Sequence, residues 1–179
     1  MRQEQNNMQR VPLSIGIVIV CLTSAFVLLM VTNSIGTSQN HIQEQARKKQ
    51  NIPDDWYVVE QVTDTLSAML FYNEDATEHT FSLYINKTGL PFGYFFCKGG
   101  IDASIQSSVR EFNAKGAGEK VYISMNSRKA NSVIISNTIE ITKEEIDPDK
   151  PFVLVINELS LVEFFDADGN SVYECNRQT

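Results

Sequence analysis

From Val11 to Ile35 the chain carries no charged residue, and Leu13–Val31 is almost wholly Ile, Val, Leu, Phe, Met and Ala. No other feature constrains the fold as strongly. At ~1.5 Å per residue these 19 helical positions reach about 28 Å, close to the ~30 Å hydrocarbon core of a bilayer. Ser14, Gly16, Thr23 and Ser24 are mild interruptions that a spanning helix tolerates, and Pro12 sits at the start, where its missing N–H is not needed. The stretch is longer than a cleavable signal's apolar region and lacks a clean small-x-small site after it. Cys21 follows Ile19 and Val20 in mid-span, which does not suit lipidation. The expectation is an uncleaved transmembrane helix over 11–35 after a short tail, 1–10.

Charge divides the chain at the same place. Residues 1–53 hold five Lys/Arg and two Asp/Glu, a net of +3, whereas 54–179 hold ten and twenty, a net of −10, giving −7 overall. So acidic a domain repels phosphate backbones, which argues against nucleic-acid binding. A hydrophobic fraction of 42% and a charged fraction of 21% are those of a folded protein, not a disordered one. Arg2, Arg10 and the α-amino group precede the span and Arg47, Lys48 and Lys49 follow it, so the positive-inside count nearly balances. A short tail before the span and a domain of more than 100 residues after it form the usual signal-anchor layout. The domain is therefore expected outside the cytoplasm, on the plasma (inner) membrane.

Residues 36–53 read as a polar, solvated stalk. Ile42 and Ala46 alone share a helical face, too thin a stripe for a coiled coil, and the Lys/Arg cluster reads as a flank to lipid headgroups. From Asp54 the pattern changes to short strands. Trp56–Gln61, Leu66–Tyr72, Phe81–Ile85, Val121–Met125, Ile139–Ile141, Phe152–Ile156, Leu159–Phe165 and Val172–Cys175 carry β-branched and aromatic residues, several with clean alternation. Turn-forming clusters separate them: Asn73-Glu74-Asp75, Lys87-Thr88-Gly89, Lys98-Gly99-Gly100, Lys115–Gly118 and Asp166–Asn170. About ten short strands predict an all-β, antiparallel sandwich or open barrel over 54–179, each sheet with one wet face and one core face. Ser107–Ala114 and Thr142–Asp147 read as short helical turns.

Few residues suggest chemistry. His79 is the domain's one histidine and lacks a nucleophile-elbow motif, so it reads as an exposed residue at a strand start. Asp166-Ala167-Asp168-Gly169-Asn170 resembles part of a calcium loop but has Arg177 where the bidentate Glu belongs, and it reads as a hairpin turn. Gly116-Ala117-Gly118 is a flexible loop, and Glu144/Glu145 and Asp147/Asp149 are solvated loop charges. Asn86-Lys87-Thr88 is a glycosylation sequon, meaningful only in a eukaryotic secretory host. No metal, cofactor or catalytic residue is expected.

The segment Leu90–Cys97 exceeds this background, because its aromatics do not alternate. It reads either as a central strand buried on both faces or as an exposed aromatic loop whose Phe92, Tyr94, Phe95 and Phe96 dock a partner or dip into the bilayer. Cys97 and Cys175 form an even pair in a domain placed outside the cytoplasm, hence a candidate disulfide. Closing a loop of roughly 80 residues would contribute about 4.5 kcal/mol.

With Trp56, Asp64, Cys97, Val121–Met125 and Phe152–Gly169 in this order, the domain resembles small bacterial envelope β-sandwich proteins associated with type VI secretion. Those share an early Trp, a mid-chain strand ending in Cys, and late paired strands ending in an aromatic-to-Gly turn. The uncleaved-looking anchor and the Lys98-Gly99-Gly100 that follows the Cys depart from them. The resemblance implies an envelope-facing sandwich and carries over no catalytic residue. The expected function is a membrane-anchored, non-catalytic protein-binding or assembly module of the envelope. The alternatives are a small-ligand or polysaccharide sensor with its pocket near Phe92–Phe96, and a hydrolase using His79 or a carboxylate pair.

Overall fold

The structure is a computed structural model that describes residues 13–31, 36–86, 93–114 and 116–173. The chain divides into two compact units, Met1–Ile35 and Gly36–Thr179. The first contains helix α1 (Leu13–Val31), apolar on every side. Ile17, Val18, Ile19 and Val20 are consecutive, so at 100° per residue they cover the whole circumference, and all four are more than half exposed. Among the described residues no helix is long and apolar enough to cross a membrane. The side chains of α1 at 13, 14, 26 and 28–31 lie outside that description.

The second unit is all-β and antiparallel, with ten strands in three sheets among the described residues. The first sheet orders β1 (Tyr57–Val62), β2 (Leu66–Tyr72), β3 (His79–Asn86) and β4 (Tyr94–Gly100) as β1-β2-β3-β4. The second sheet comprises β5 (Arg110–Ala114), β6 (Glu119–Ser124) and β9 (Phe152–Asn157) in the order β5-β6-β9. The third comprises β7 (Ser132–Ser136), β8 (Ile141–Glu145) and β10 (Leu161–Phe165) in the order β10-β7-β8. Two short α-helices accompany them, α2 (Ile42–Gln50), preceded by a 3-10 turn at Gln39–His41, and α3 (Ala103–Ser107), the latter capped by Asp102 accepting from the Ser104 N–H.

Three apolar clusters stack these elements. Leu66, Leu70, Phe81 and Leu83 of the first sheet meet Phe112, Val121, Ile123 and Val155 of the second. The other face of the second sheet sets Tyr122, Phe152 and Ile156 against Val133, Val162 and Phe164 of the third. The outer face of the first sheet, through Met69, Phe71 and Tyr84, is covered by Ile42, Ala46 and Ile52. So β2 and β3 are buried on both faces, not on one as the alternation of Phe81, Leu83 and Ile85 with smaller and polar residues suggested.

The segment expected to be a solvated stalk is therefore part of the packed domain. Ile42 is 2% exposed and Ala46 fully buried. The Gln50 amide donates to Ser82 Oγ and to Phe81 O (3.2 Å) and accepts from Thr80 Oγ1 (3.0 Å), so the hydroxyls of β3 hold the helix down. The Arg47 guanidinium donates to Pro53 O and Trp56 O (2.5 and 2.8 Å) and lies 5.0 Å over the Phe71 ring. Lys49 lies 4.3 Å over Phe96, so two of the three cations expected to face headgroups rest on aromatic rings of the domain. Ahead of the helix, Thr37 bridges to Tyr94 through two backbone hydrogen bonds (2.7 and 2.8 Å). That bridge needs Gly93, whose φ is +80° and where a Cβ would stand 2.3 Å from Thr37 O.

Other boundaries differ from the sequence reading. Residues 110–114 form β5 and 142–145 belong to β8, where helical turns were expected; of the strand expected at Ile139–Ile141 only Ile141 is in β8, Ile139 lying in the turn before it, and β7 was not anticipated. Each gains its pairing from a partner distant in sequence or from a hairpin, which outweighs weak local preference. Beyond β10, Ser171 bridges back to Phe165 and the Val172 N–H donates to Phe164 O at 2.9 Å, while residues 174 and 175 of the expected strand Val172–Cys175 lie outside the described residues.

Under α2 the Tyr84 hydroxyl is buried and has no hydrogen-bond partner among the described residues. Burial pushes its pKa up to about 12. Tyr84→Phe removes an unsatisfied buried group and is expected to raise stability by about 1 kcal/mol in urea unfolding. The unfolded tyrosine ionises near pH 10 and the folded one near 12, so wild-type stability should fall as pH rises through that window. The variant should lose that slope, and a destabilised Tyr84→Phe would contradict the packing described here.

Candidate functional site

A concave feature of the domain lies where three sheet edges converge. Strands β1, β9 and β8 each end their sheet, and they border an open groove of about 390 Å³. Val59 and Gln61 line it from β1, and Phe152 and Leu154 from β9. Its rim is polar, with Glu144 and Glu145 at the end of β8 and Asp147 and Lys150 in the following loop.

Gln61 closes part of one edge. Its Oε1 accepts the Val155 N–H at 2.7 Å and its Nε2 faces Val155 O at 3.5 Å, so the side-chain amide pairs with β9 as a neighbouring strand's peptide would. Both Val155 groups thus point away from β6. By the two-residue strand period, the N–H and C=O of Val153 project from the same edge, into the groove. A backbone edge beside apolar side chains is the geometry that receives an extended peptide.

The rim is acidic. Asp147 forms an ion pair with Lys150 (2.8 Å), and the hydrogen bond from that ammonium holds its carboxyl below the usual range. Glu144 and Glu145 are left as the rim's excess charge, and both are exposed. Asp149, outside the groove, pairs with Lys129 at 2.8 Å.

The residues singled out from sequence are dispersed. Tyr94 is buried, its hydroxyl donating to Thr63 O at 2.5 Å. Phe96 is half-buried, edge-on to Tyr84 at 5.5 Å and beneath Lys49. Phe95 is half-buried too, and Phe92 lies outside the described residues. The strand carrying the aromatics is the last of its sheet, and α2 covers its Tyr94 and Phe96 face. The groove is not near them. Cys97 is the extra residue of a β-bulge, between Phe96 opposite Tyr84 and Lys98 opposite Leu83, and its thiol is exposed and free among the described residues. Cys175 lies outside those residues.

His79 is buried rather than exposed, and its Nε2–H donates to Asp102 O at 3.0 Å. The Asp166 loop is the expected turn: Asp166 Oδ1 accepts the backbone N–H groups of Asp168 (3.0 Å) and Asn170 (2.8 Å). The Asn170 side chain adds to them, and together they hold the Asp166 carboxyl below its usual range. Among the described residues no cluster of His, Cys, Asp and Glu is placed to hold a metal ion. Residues 116–118 form the turn joining β5 to β6.

No protein-family model matches this chain, and no curated protein or solved structure is significantly similar to it.

The groove's architecture depends on Gln61. Gln61→Ala leaves the Val155 N–H without its acceptor and should cost about 1–3 kcal/mol in urea unfolding. Gln61→Glu keeps that acceptor and should recover part of the loss. Equal midpoints for wild type and Gln61→Ala would show that the amide does not close this edge.

Proposed function

We propose that the chain is a single-pass protein of the cell envelope, anchored in the plasma membrane by α1, whose β domain works outside the cytoplasm by binding another protein rather than by catalysis. The observation that carries the reading is α1 itself: nineteen residues, none charged, with its described aliphatic side chains exposed around the full circumference. A helix that is apolar on all sides is buried either in a protein core or in lipid. The short tail before it and the long acidic domain after it favour the outward orientation. The resemblance read from the order of Trp56, Cys97 and Phe152–Gly169 to envelope proteins associated with type VI secretion would imply the same placement.

The binding part of the reading rests on the groove, where the outward edge of β9 lies between apolar walls and an acidic rim. A partner offering an extended segment with Lys or Arg side chains suits both features. The groove's volume is also within the range of small-molecule sites, which supports the second reading of a ligand sensor. Unpaired strand edges on three sides favour the peptide.

Two measurements on the full chain test the proposal. Alkaline carbonate should leave it in the membrane pellet, and protease added to intact spheroplasts should remove the domain. A photo-crosslinking amino acid at Leu154 should yield one discrete protein adduct that Glu144→Lys together with Glu145→Lys abolishes. Release into the carbonate supernatant would contradict the anchor, and a crosslink pattern indifferent to the rim charges would contradict the binding site.

A further inference from the structure

Most large apolar side chains of a folded domain are buried, so contiguous exposed ones mark a contact surface. In the β domain the described large hydrophobic residues that are well exposed are Tyr57, Ile101, Ile139, Ile141, Leu159 and Leu161. Four of the six gather at one end of the third sheet. Leu161 and Ile141 flank Ser136 from either side in the strand register. The core residues Val133, Val162 and Phe164 alternate with them, so this row faces outward. Ile139 (94% exposed) lies in the turn between β7 and β8, and Leu159 (83% exposed) in the turn between β9 and β10.

That end is also where the chain arrives from α1. Thr37 pairs with Tyr94, and the Tyr94 hydroxyl reaches Thr63 O. Thr63 and Thr65 both donate to Glu119 Oε2, at 2.7 and 2.6 Å. Glu119 starts β6 opposite Asn157, and the Glu158 N–H bonds to Gly118 O at 3.0 Å. The attachment point and the two aliphatic turns therefore share one end of the domain, whereas Tyr57 and Ile101 lie at the other, by the starts of β1 and α3. Thr37 is six residues beyond Val31, a reach of at most about 20 Å even when fully extended.

We infer that the attachment end of the β domain rests on the lipid surface through Ile139, Ile141, Leu159 and Leu161. The inference depends on α1 being the membrane anchor, since the short tether is what brings this end to the bilayer. Aliphatic side chains on turn tips enter the interfacial region, while Glu140 and Glu158 beside them stay in the headgroup water and disfavour deeper insertion. The acidity of the domain selects neutral over anionic lipid. The groove, bordered by Glu145 and Asp147 at the opposite end of the third sheet, is left facing away from the membrane.

The test uses the full wild-type chain in phosphatidylcholine vesicles containing a phosphatidylcholine with a diazirine on its acyl chain near the ester. After irradiation, mass spectrometry maps the lipid adducts. Adducts are expected in α1 and at residues 139–141 and 159–161, and not at Tyr57 or Ile101. Ile139→Ser with Leu159→Ser, both exposed turn positions, should lose the domain adducts and keep those in α1. Adducts in α1 without any in the two turns would overturn this inference and leave the anchor standing. An α1 free of adducts would overturn the anchor and this inference with it. Chain-to-chain crosslinks through the turns in place of lipid adducts would overturn it in favour of self-contact, and equal labelling of Ile101 would show that the contact is indiscriminate.

Discussion

The burial of β2 and β3 on both faces is the constraint from which the rest of the domain follows. One face of the first sheet meets the second sheet, and the other has no sheet to meet. Left open, it would present Met69, Phe71 and Tyr84 to water. The segment 36–53 covers it with a nine-residue helix, far shorter than the ~12–15 residues at which an isolated helix becomes even marginally stable. Thus α2 forms because the sheet is beneath it. Burying Ile42 alone contributes what an Ile→Ala change in a core removes, about 2–5 kcal/mol.

This packing makes residues 37–53 part of the domain. Arg47 and Gln50 bond to the domain's backbone, Lys49 rests on Phe96, and Gly93 allows the Thr37 bridge. The domain then has two unlike ends. Near the attachment lie aliphatic turn tips, and toward the other end lies an acidic groove bordered by three strand edges. Edge strands invite pairing with other chains, and proteins commonly blunt them with charge. Here the Gln61 amide occupies one stretch of β9, and the carboxylates of β8 guard the approach to the next. A selective partner would be one whose own charges answer those carboxylates.

Much of the fold was legible in the sequence, because strand alternation reports burial directly. β2 matches the expected Leu66–Tyr72, and β3, β6, β9 and β10 fall within two residues of expectation at each end. The cost of reading alternation alone shows at β3, where Ser82 and Tyr84 looked like a wet face and are instead the seat of α2. Likewise Thr142–Glu145 is rich in charge and reads as a helix start, but the hairpin with β7 makes it an edge strand. The groove was not legible. It joins Gln61 to Glu144 and Leu154, which follow it by more than 80 residues, and no local pattern announces that three sheet edges meet. The aromatic run at 94–96 drew attention for a sound reason, its density, and the structure spends Tyr94 and Phe96 on holding α2.

Amide hydrogen exchange of the full chain under native conditions tests the central claim, that α2 and the first sheet form one cooperative unit. The N–H groups of residues 46–50 should exchange only through the opening that also exposes β2 and β3, with opening free energies within about 1 kcal/mol of theirs. Exchange of α2 at rates near those of an unfolded chain, with β2 and β3 still protected, would mean that the helix is a solvated tether and would contradict the account.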